Sequence, residues 1–159
     1  MDHNMFCFQC EQTAGCTGCT SRGVCGKDAQ TAQAQDRLTG ALIGLARAAD
    51  TSPDAGPETW QLMIEGLFAT LTNVNFDPDS LNALAGRVRA EKQRLVPDCA
   101  VCTAPCGRTG DYDLAQLWGA QEDIRSLKSL LLFGSRGMAA YAYHAMVLGY
   151  RDESVERFL

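Results

Sequence analysis

Apolar residues recur at spacings of three and four along three stretches of the chain, a period that predicts amphipathic α-helices. The first helix is predicted from Asp28 to Asp50, and the third follows Asp77 and Pro78, a pair typical of a helix N-cap and first turn. The predicted apolar stripes are Leu38, Ala41, Leu42, Leu45, Ala46 and Ala49; Trp60, Met63, Ile64, Leu67, Phe68 and Leu71; and Leu81, Leu84, Ala85, Val88 and Leu95. Residues 51–58, rich in proline and glycine, separate the first two helices. Because the connections are short, we expect an up-down three-helix bundle.

A fourth helical stretch is predicted over residues 122–148, with Gly149 as its C-cap. Its apolar residues are Ile124, Leu127, Leu130, Leu131, Met138, Ala139, Ala142, Ala145 and Met146. Gly134 and Gly137 interrupt this pattern, which predicts a kink or the close approach of another helix. Asp152 then begins a short amphipathic segment whose apolar face is incomplete at the last residue, so we expect the front portion of a longer polypeptide. No stretch alternates with period two, and the predicted fold class is all-α.

The first 27 residues have a different character, since they hold five of the eight cysteines and four glycines between positions 15 and 26. A glycine-rich chain does not form a helix or strand by itself, and a bound group would have to supply the ordering energy. We call residues 1–27 the cysteine segment and predict that it binds a metal cluster. The domain organisation predicted is the cysteine segment (1–27), a three-helix bundle (28–95), a connector containing cysteine, proline and glycine (96–121), and a long helix followed by the start of another (122–159).

The charge and composition of the chain limit the classes of protein to which it can belong. The 159 residues carry 14 Lys and Arg against 19 Asp and Glu, a net charge of −5, so no basic field is available to bind nucleic acid. No apolar run reaches the roughly 20 residues that a membrane span needs. The N-terminus lacks the basic and apolar regions of a signal peptide. These features predict a soluble, cytoplasmic protein.

The cysteines fall into two groups, five within the first 25 residues and three between positions 99 and 106. Disulfides usually join distant segments of exported proteins, whereas closely spaced cysteines in a reducing compartment usually bind metal. The chain shows no export signal, so its cysteine spacing favours a metal site.

Four cysteines are the candidate ligands: Cys7, Cys10, Cys19 and Cys25. Four thiolates bind either zinc or a cubane iron–sulfur cluster. The wide spacing of the second pair suits a cluster better than a zinc knuckle, although zinc and a redox thiol pair remain alternatives. A cluster bound by four thiolates is anionic and needs backbone N–H groups directed at its sulfurs. The glycines would allow that approach, and Phe6 and Phe8 would exclude water from one side.

Several further residues are weaker candidates. Cys99, Cys102 and Cys106 are either unligated thiols, part of a second site completed by Cys16, or a reversible disulfide system. The remaining candidates are given structural roles. His3 is interpreted as terminal and solvated, and His144 as a core or interface residue. Asn73 and Asn75 are expected to close a helix end through side-chain hydrogen bonds, and the packing residues are Trp60, Phe68 and Trp118. A basic run on the third helix is either a solvated face or a docking patch for an acidic electron donor: Arg87, Arg89, Lys92 and Arg94.

Three separated stretches resemble the hybrid cluster proteins, also called prismane proteins or hydroxylamine reductases. They are MFCFQCEQTAGCTGCTSRGVCGK (residues 5–27), LFATLTNVNFD (67–77) and DIRSLKSLLLFGSRGMAAYAYHAMVLGY (123–150), which occur in the order of the family. The resemblance extends over nearly the whole chain. It implies a helical fold built from three-helix bundles, in agreement with the hydrophobic pattern.

The resemblance also implies a function. It places the ligands of a 4Fe–4S cluster on Cys7, Cys10, Cys19 and Cys25, and it leaves Cys16 without a ligand role. Family enzymes reduce hydroxylamine to ammonia, and have been linked to nitric oxide reduction, at a hybrid iron–sulfur–oxygen cluster whose ligands lie beyond position 159. This chain would then be the electron-entry portion, inactive alone, which receives electrons from a flavin or iron–sulfur reductase and passes them to the remaining domains. The alternative, from a different class of function, is that the chain is a zinc-stabilised structural or interaction module.

Overall fold

Six helices make up the computed structural model, which describes residues 5–10, 17–97 and 110–159. They are α1 (Ala29–Thr51), α2 (Pro57–Ala69), α3 (Pro78–Leu95), α4 (Leu114–Trp118), α5 (Glu122–Val147) and α6 (Glu153–Phe158). In the described ranges the β-structure is limited to an isolated bridge, which confirms the all-α prediction. No helix in these ranges is long and apolar enough to cross a membrane.

The helix boundaries follow from local sequence chemistry. The Asp28 carboxylate accepts the backbone N–H of Thr31 and caps α1, and the Asp152 side chain does the same for α6. Pro57 is the first residue of α2, so the proline predicted to separate two helices instead starts the second one. The C-cap of α5 is Leu148, one residue before the predicted Gly149, which follows it in the left-handed region at φ 83°.

The Asp77 cap of α3 carries the first testable prediction. Its Oδ1 accepts the Asp79 backbone N–H at 3.0 Å, which satisfies one of the donors at the start of a helix that have no partner within it. Asp77→Ala should lower the free energy of unfolding by about 1 kcal/mol in urea denaturation of the metal-free chain. Asp77→Asn keeps an acceptor oxygen and should lose less than half of that. Equal losses in the two variants would mean that the cap bond is not the cause.

The main core lies between α1, α2 and α3, with α5 and α6 packed on α2. The first three helices bury most of the apolar stripes predicted from the sequence, but Ala46 is exposed and Trp60, Phe68 and Leu71 are half-buried. Ala139 of α5 joins the buried set, which includes Leu38, Leu42, Leu45, Met63, Leu67, Leu81, Leu84 and Val88. A second, smaller core is formed by Met5, Cys7, Cys19 and Ala32. It joins the cysteine segment to the N-terminal half of α1.

The C-terminal part shows two features that the sequence did not predict. The connector contains the short helix α4. The helix α5 leaves Leu127, Leu130 and Leu131 60–68% exposed, because it turns its opposite face, with Arg136 and Ala139, towards the bundle. Among the described residues nothing lies within 4 Å of a Cβ added at Gly134 or Gly137, so a close helix approach is absent there.

Candidate metal centre

Cys7 and Cys19 lie opposite each other in the isolated antiparallel bridge. The Cys7 N–H donates to the Cys19 carbonyl at 3.0 Å, and the Cys19 N–H donates to the Cys7 carbonyl at 2.8 Å. Residues that exchange both hydrogen bonds in this way have Cα atoms about 5.5 Å apart and side chains on the same face. Both cysteines are buried. The bridge therefore brings together two predicted ligands that are twelve positions apart in the sequence.

Cys10 and Cys25 are half-buried. Cys10 borders a cavity of about 450 Å³, which Asn73 and Arg136 also line. Cys25 lies in a turn closed by two backbone bonds, from the Gly23 N–H to the Lys27 carbonyl and from the Gly26 N–H to the Gly23 carbonyl, both 2.8 Å. Cys7, Cys10 and Cys25 are free thiols.

Gly18 shows why glycine precedes a ligand in this segment. Its φ of 103° lies in the left-handed region that side chains rarely adopt. A Cβ at this position would also lie 2.6 Å from Cε2 of the Phe6 ring. Gly18 thus allows the chain to turn into Cys19 beneath an aromatic side chain.

Three aromatic side chains pack together on one side of the Cys7–Cys19 bridge. Trp118 of α4 packs against Phe6 and Phe8, with ring centroids 4.9 and 4.7 Å apart, and the Arg125 guanidinium lies 4.6 Å from the centroid of the Trp118 ring. The two phenylalanines flank Cys7, as expected from the sequence. Trp118 was assigned a packing role, and its partners prove to be these two rings of the cysteine segment.

A buried polar network lies beneath the cysteine segment, centred on Gln9. The Lys27 ammonium donates to Gln9 Oε1 at 2.8 Å and also to Gln35 Oε1. The Gln9 side-chain amide donates to the Ala32 carbonyl at 3.1 Å and to Asp36 Oδ1 at 2.5 Å. The turn that carries Cys7 and Cys10 is therefore fixed to α1 by hydrogen bonds as well as by the smaller core.

Arg136 of α5 joins the same network from the other side. Its Nη1 donates to the Gln9 backbone carbonyl at 2.9 Å, its Nε to Thr70 Oγ1 at 3.0 Å and its Nη2 to Thr39 Oγ1 at 3.0 Å. A guanidinium presents its donors in a rigid planar fork, which suits three acceptors on different elements. One side chain thus joins the cysteine segment, α1, the end of α2 and α5.

Burial and local charge determine the ionisation of this region. Burial raises the pKa of the Cys7 thiol, whereas the Gln9 backbone N–H that bonds to it and the Lys27 charge lower it. Burial also raises the pKa of Asp36 to about 6, against the opposing effects of Gln9, Lys27 and Arg136. A backbone N–H directed at a cysteine sulfur is the kind of donor that an anionic iron–sulfur cluster needs.

The donor chemistry therefore fits an iron–sulfur cluster: four cysteines, a backbone N–H on one of them, aromatic cover and nearby positive charge. Within residues 5–10, 17–97 and 110–159, no three His, Cys, Asp or Glu side chains gather closely enough to hold a metal ion. The set of four ligands stays a prediction. Cys16, Cys99, Cys102, Cys106 and His3 lie outside the described residues.

Three of the weaker candidates are located by the structure. Asn75 accepts the Asp77 N–H at 2.9 Å and so closes the start of α3 as predicted. His144 is exposed rather than in the core, with its ring edge-on to Phe68. Every member of the basic run forms an ion pair: Arg87 with Glu65, Arg89 and Lys92 with Asp111, and Arg94 with Glu91. These pairs offset the positive charge and favour a solvated face over a docking patch.

The sequence did not single out the buried polar residues that surround the cysteine segment: Gln9, Lys27, Gln35, Thr39 and Arg136. The sequence nevertheless carried one signal that could have identified two of these residues. Lys27 and Arg136 occur inside two of the stretches that resemble the family, and Arg136 lies between the glycines that interrupt the apolar pattern of α5.

Comparisons with known proteins agree with this arrangement. The model of the Prismane/CO dehydrogenase family matches residues 5–159. The chain is 39% identical to the hydroxylamine reductase of Desulfitobacterium hafniense strain Y51, 40% identical to that of Clostridium perfringens and 39% identical to that of Methanocella arvoryzae, in each case over 98% of its own length. It spans 32–33% of the length of these relatives.

Proposed function

The chain belongs to the Prismane/CO dehydrogenase family, and on that premise we propose that it is the N-terminal 4Fe–4S electron-transfer portion of a hydroxylamine reductase. Cys7, Cys10, Cys19 and Cys25 would hold the cluster. The observation that carries the proposal is the Cys7–Cys19 bridge, which juxtaposes two ligands from different parts of the cysteine segment beside a sulfur-directed backbone N–H. A 4Fe–4S cluster bound there would supply one-electron transfer.

The residues around the bridge have separate tasks in this proposal. Phe6, Phe8 and Trp118 exclude water from one side of Cys7. Gly18 allows the backbone to approach, and the Gln9 N–H stabilises a thiolate at Cys7. Cys10, half-buried beside a cavity, lies on the more accessible side, where an electron donor can approach. We infer that the donor is a flavin or iron–sulfur reductase of the cytoplasm, where thiols stay reduced.

The activity itself belongs, in this proposal, to a longer protein. The relatives named hydroxylamine reductase are about three times as long as the region matched here. We propose that the remaining domains hold the hybrid cluster and reduce hydroxylamine to ammonia, with nitric oxide as a further substrate. The chain of 159 residues is then expected to be inactive with hydroxylamine when supplied alone.

Anaerobic purification tests the cofactor directly. The protein should be brown, contain about four irons and four acid-labile sulfides per chain, and lose its visible absorption when dithionite is added. A colourless protein with one zinc ion per chain would contradict the proposal and support a zinc-stabilised module.

A further inference from the structure

Two cations are almost completely buried beside the cysteine segment. Lys27 is 3% exposed and Arg136 is 2% exposed. Lysine and arginine are almost never buried to this extent without a paired charge. In the described ranges, however, neither forms an ion pair with a carboxylate. The acceptors of their hydrogen bonds within these ranges are neutral amide, hydroxyl and carbonyl oxygens.

The closest carboxylate in the network offsets only part of this charge. Asp36 reaches Lys27 through the Gln9 side chain, and its charge also acts on Arg136. Among the residues that the structure describes, one carboxylate against two cations leaves an excess of one positive charge in a region shielded from water. Taking a charge out of water costs several kcal/mol unless an opposite charge compensates for it.

The missing negative charge can come from the cysteines. Burial lowers the pKa of Arg136 to about 10, and the groups whose negative charge opposes this effect are Asp36, Cys7 and Cys10. Lys27 likewise acts on Cys7, and it lies two positions after Cys25. Both cations are thus within electrostatic range of predicted ligands, and both contact Gln9, which lies between Cys7 and Cys10.

We propose that Lys27 and Arg136 are positioning residues that supply the counter-charge for an anionic cluster on the cysteine segment. This inference rests on the proposed function. Arg136 also fixes the Cys7–Cys10 turn through the Gln9 carbonyl, a task that requires the guanidinium fork. Reduction adds one electron and makes the bound group more negative, so both buried cations stabilise the reduced state and raise its reduction potential.

The test is the reduction potential of the cluster-bearing chain, measured by anaerobic titration. Arg136→Met and Lys27→Met should each lower the equilibrium constant for reduction at least tenfold, a shift of 59 mV for a one-electron couple. Arg136→Lys keeps the charge without the fork, so its potential should stay near wild type while its iron is lost faster to a chelator. Arg37→Met removes an exposed arginine of α1 that contacts Asn82, and it should change neither quantity.

The outcomes separate this inference from the proposed function. A wild-type chain without an iron–sulfur cluster would overturn both. A cluster-bearing wild type whose potential is the same in Arg136→Met, Lys27→Met and Arg37→Met would overturn the counter-charge alone. Circular dichroism establishes whether Arg136→Met folds, and if it does not, the potential of Lys27→Met decides the result.

Discussion

Cys19→Ser is expected to abolish binding of the iron–sulfur cluster, with iron falling to the background level and the visible colour lost. A serine hydroxyl stays protonated at neutral pH and is a poor ligand for iron, whereas the thiolate is the ligand that these clusters use. The Cys7–Cys19 bridge is made by backbone groups, so serine should keep it. The metal-free variant is therefore expected to show the helical circular dichroism of the metal-free wild type.

Cys16→Ser is the matched control, since it removes a cysteine of the same segment that the family resemblance leaves without a ligand role in this cluster. It should retain iron, sulfide and visible absorption near the wild-type level after identical anaerobic purification. The ratio of iron in the two variants is the decisive quantity. If both lose iron to the same extent, the assignment of Cys7, Cys10, Cys19 and Cys25 as the four ligands is wrong.

Gly40→Ala is expected to destabilise the metal-free chain by about 1–3 kcal/mol, the usual cost of overpacking. A Cβ at position 40 of α1 would lie 2.3 Å from the Tyr112 carbonyl oxygen. The Tyr112 N–H also donates to the Gly40 carbonyl at 3.0 Å, so the two backbones are in direct contact. Because the obstacle is backbone, the chain before α4 must move, together with Asp111 and its ion pairs to α3.

Gly86→Ala is the control for this prediction. Gly86 lies on α3 with no described atom within 4 Å of an added Cβ, so alanine there should raise stability by about 0.5–1 kcal/mol through helix propensity alone. Urea denaturation with an unchanged m-value measures both effects. A stabilised Gly40→Ala variant would show that the contact with Tyr112 is not tight in solution.

The three-helix bundle could be predicted because the sequence signals that specify its helices lie within each helix. The Asp77–Pro78 pair starts α3 as predicted, and most residues of the stripes on α1, α2 and α3, which recur every three or four positions, are buried. The exposed leucines of α5 were not predictable in the same way. Periodicity identifies an apolar face, but it does not reveal whether another element covers that face.

The candidate site was only partly predictable for a related reason. The spacing of the cysteines indicated a metal-binding segment, whereas the polar residues beneath it have partners far away in the sequence. Arg136 contacts the Gln9 carbonyl across 127 positions and Thr70 across 66. An arginine between two glycines on a helix is ordinarily taken for a solvated residue. Only the packing of α5 on α2 places it inside.

The two separate hydrophobic cores have a consequence for how the molecule opens. The larger core holds the bundle together, while the smaller one, Met5, Cys7, Cys19 and Ala32, holds the cysteine segment on α1. With so few buried apolar groups, residues 5–10 and 17–27 are expected to open at a lower free energy than the whole chain unfolds. The buried hydrogen bonds of Gln9 with Lys27 and Arg136 raise that free energy, so hydrogen exchange at the Cys7 and Cys19 amides should be faster than in the bundle core but slower than in an exposed loop.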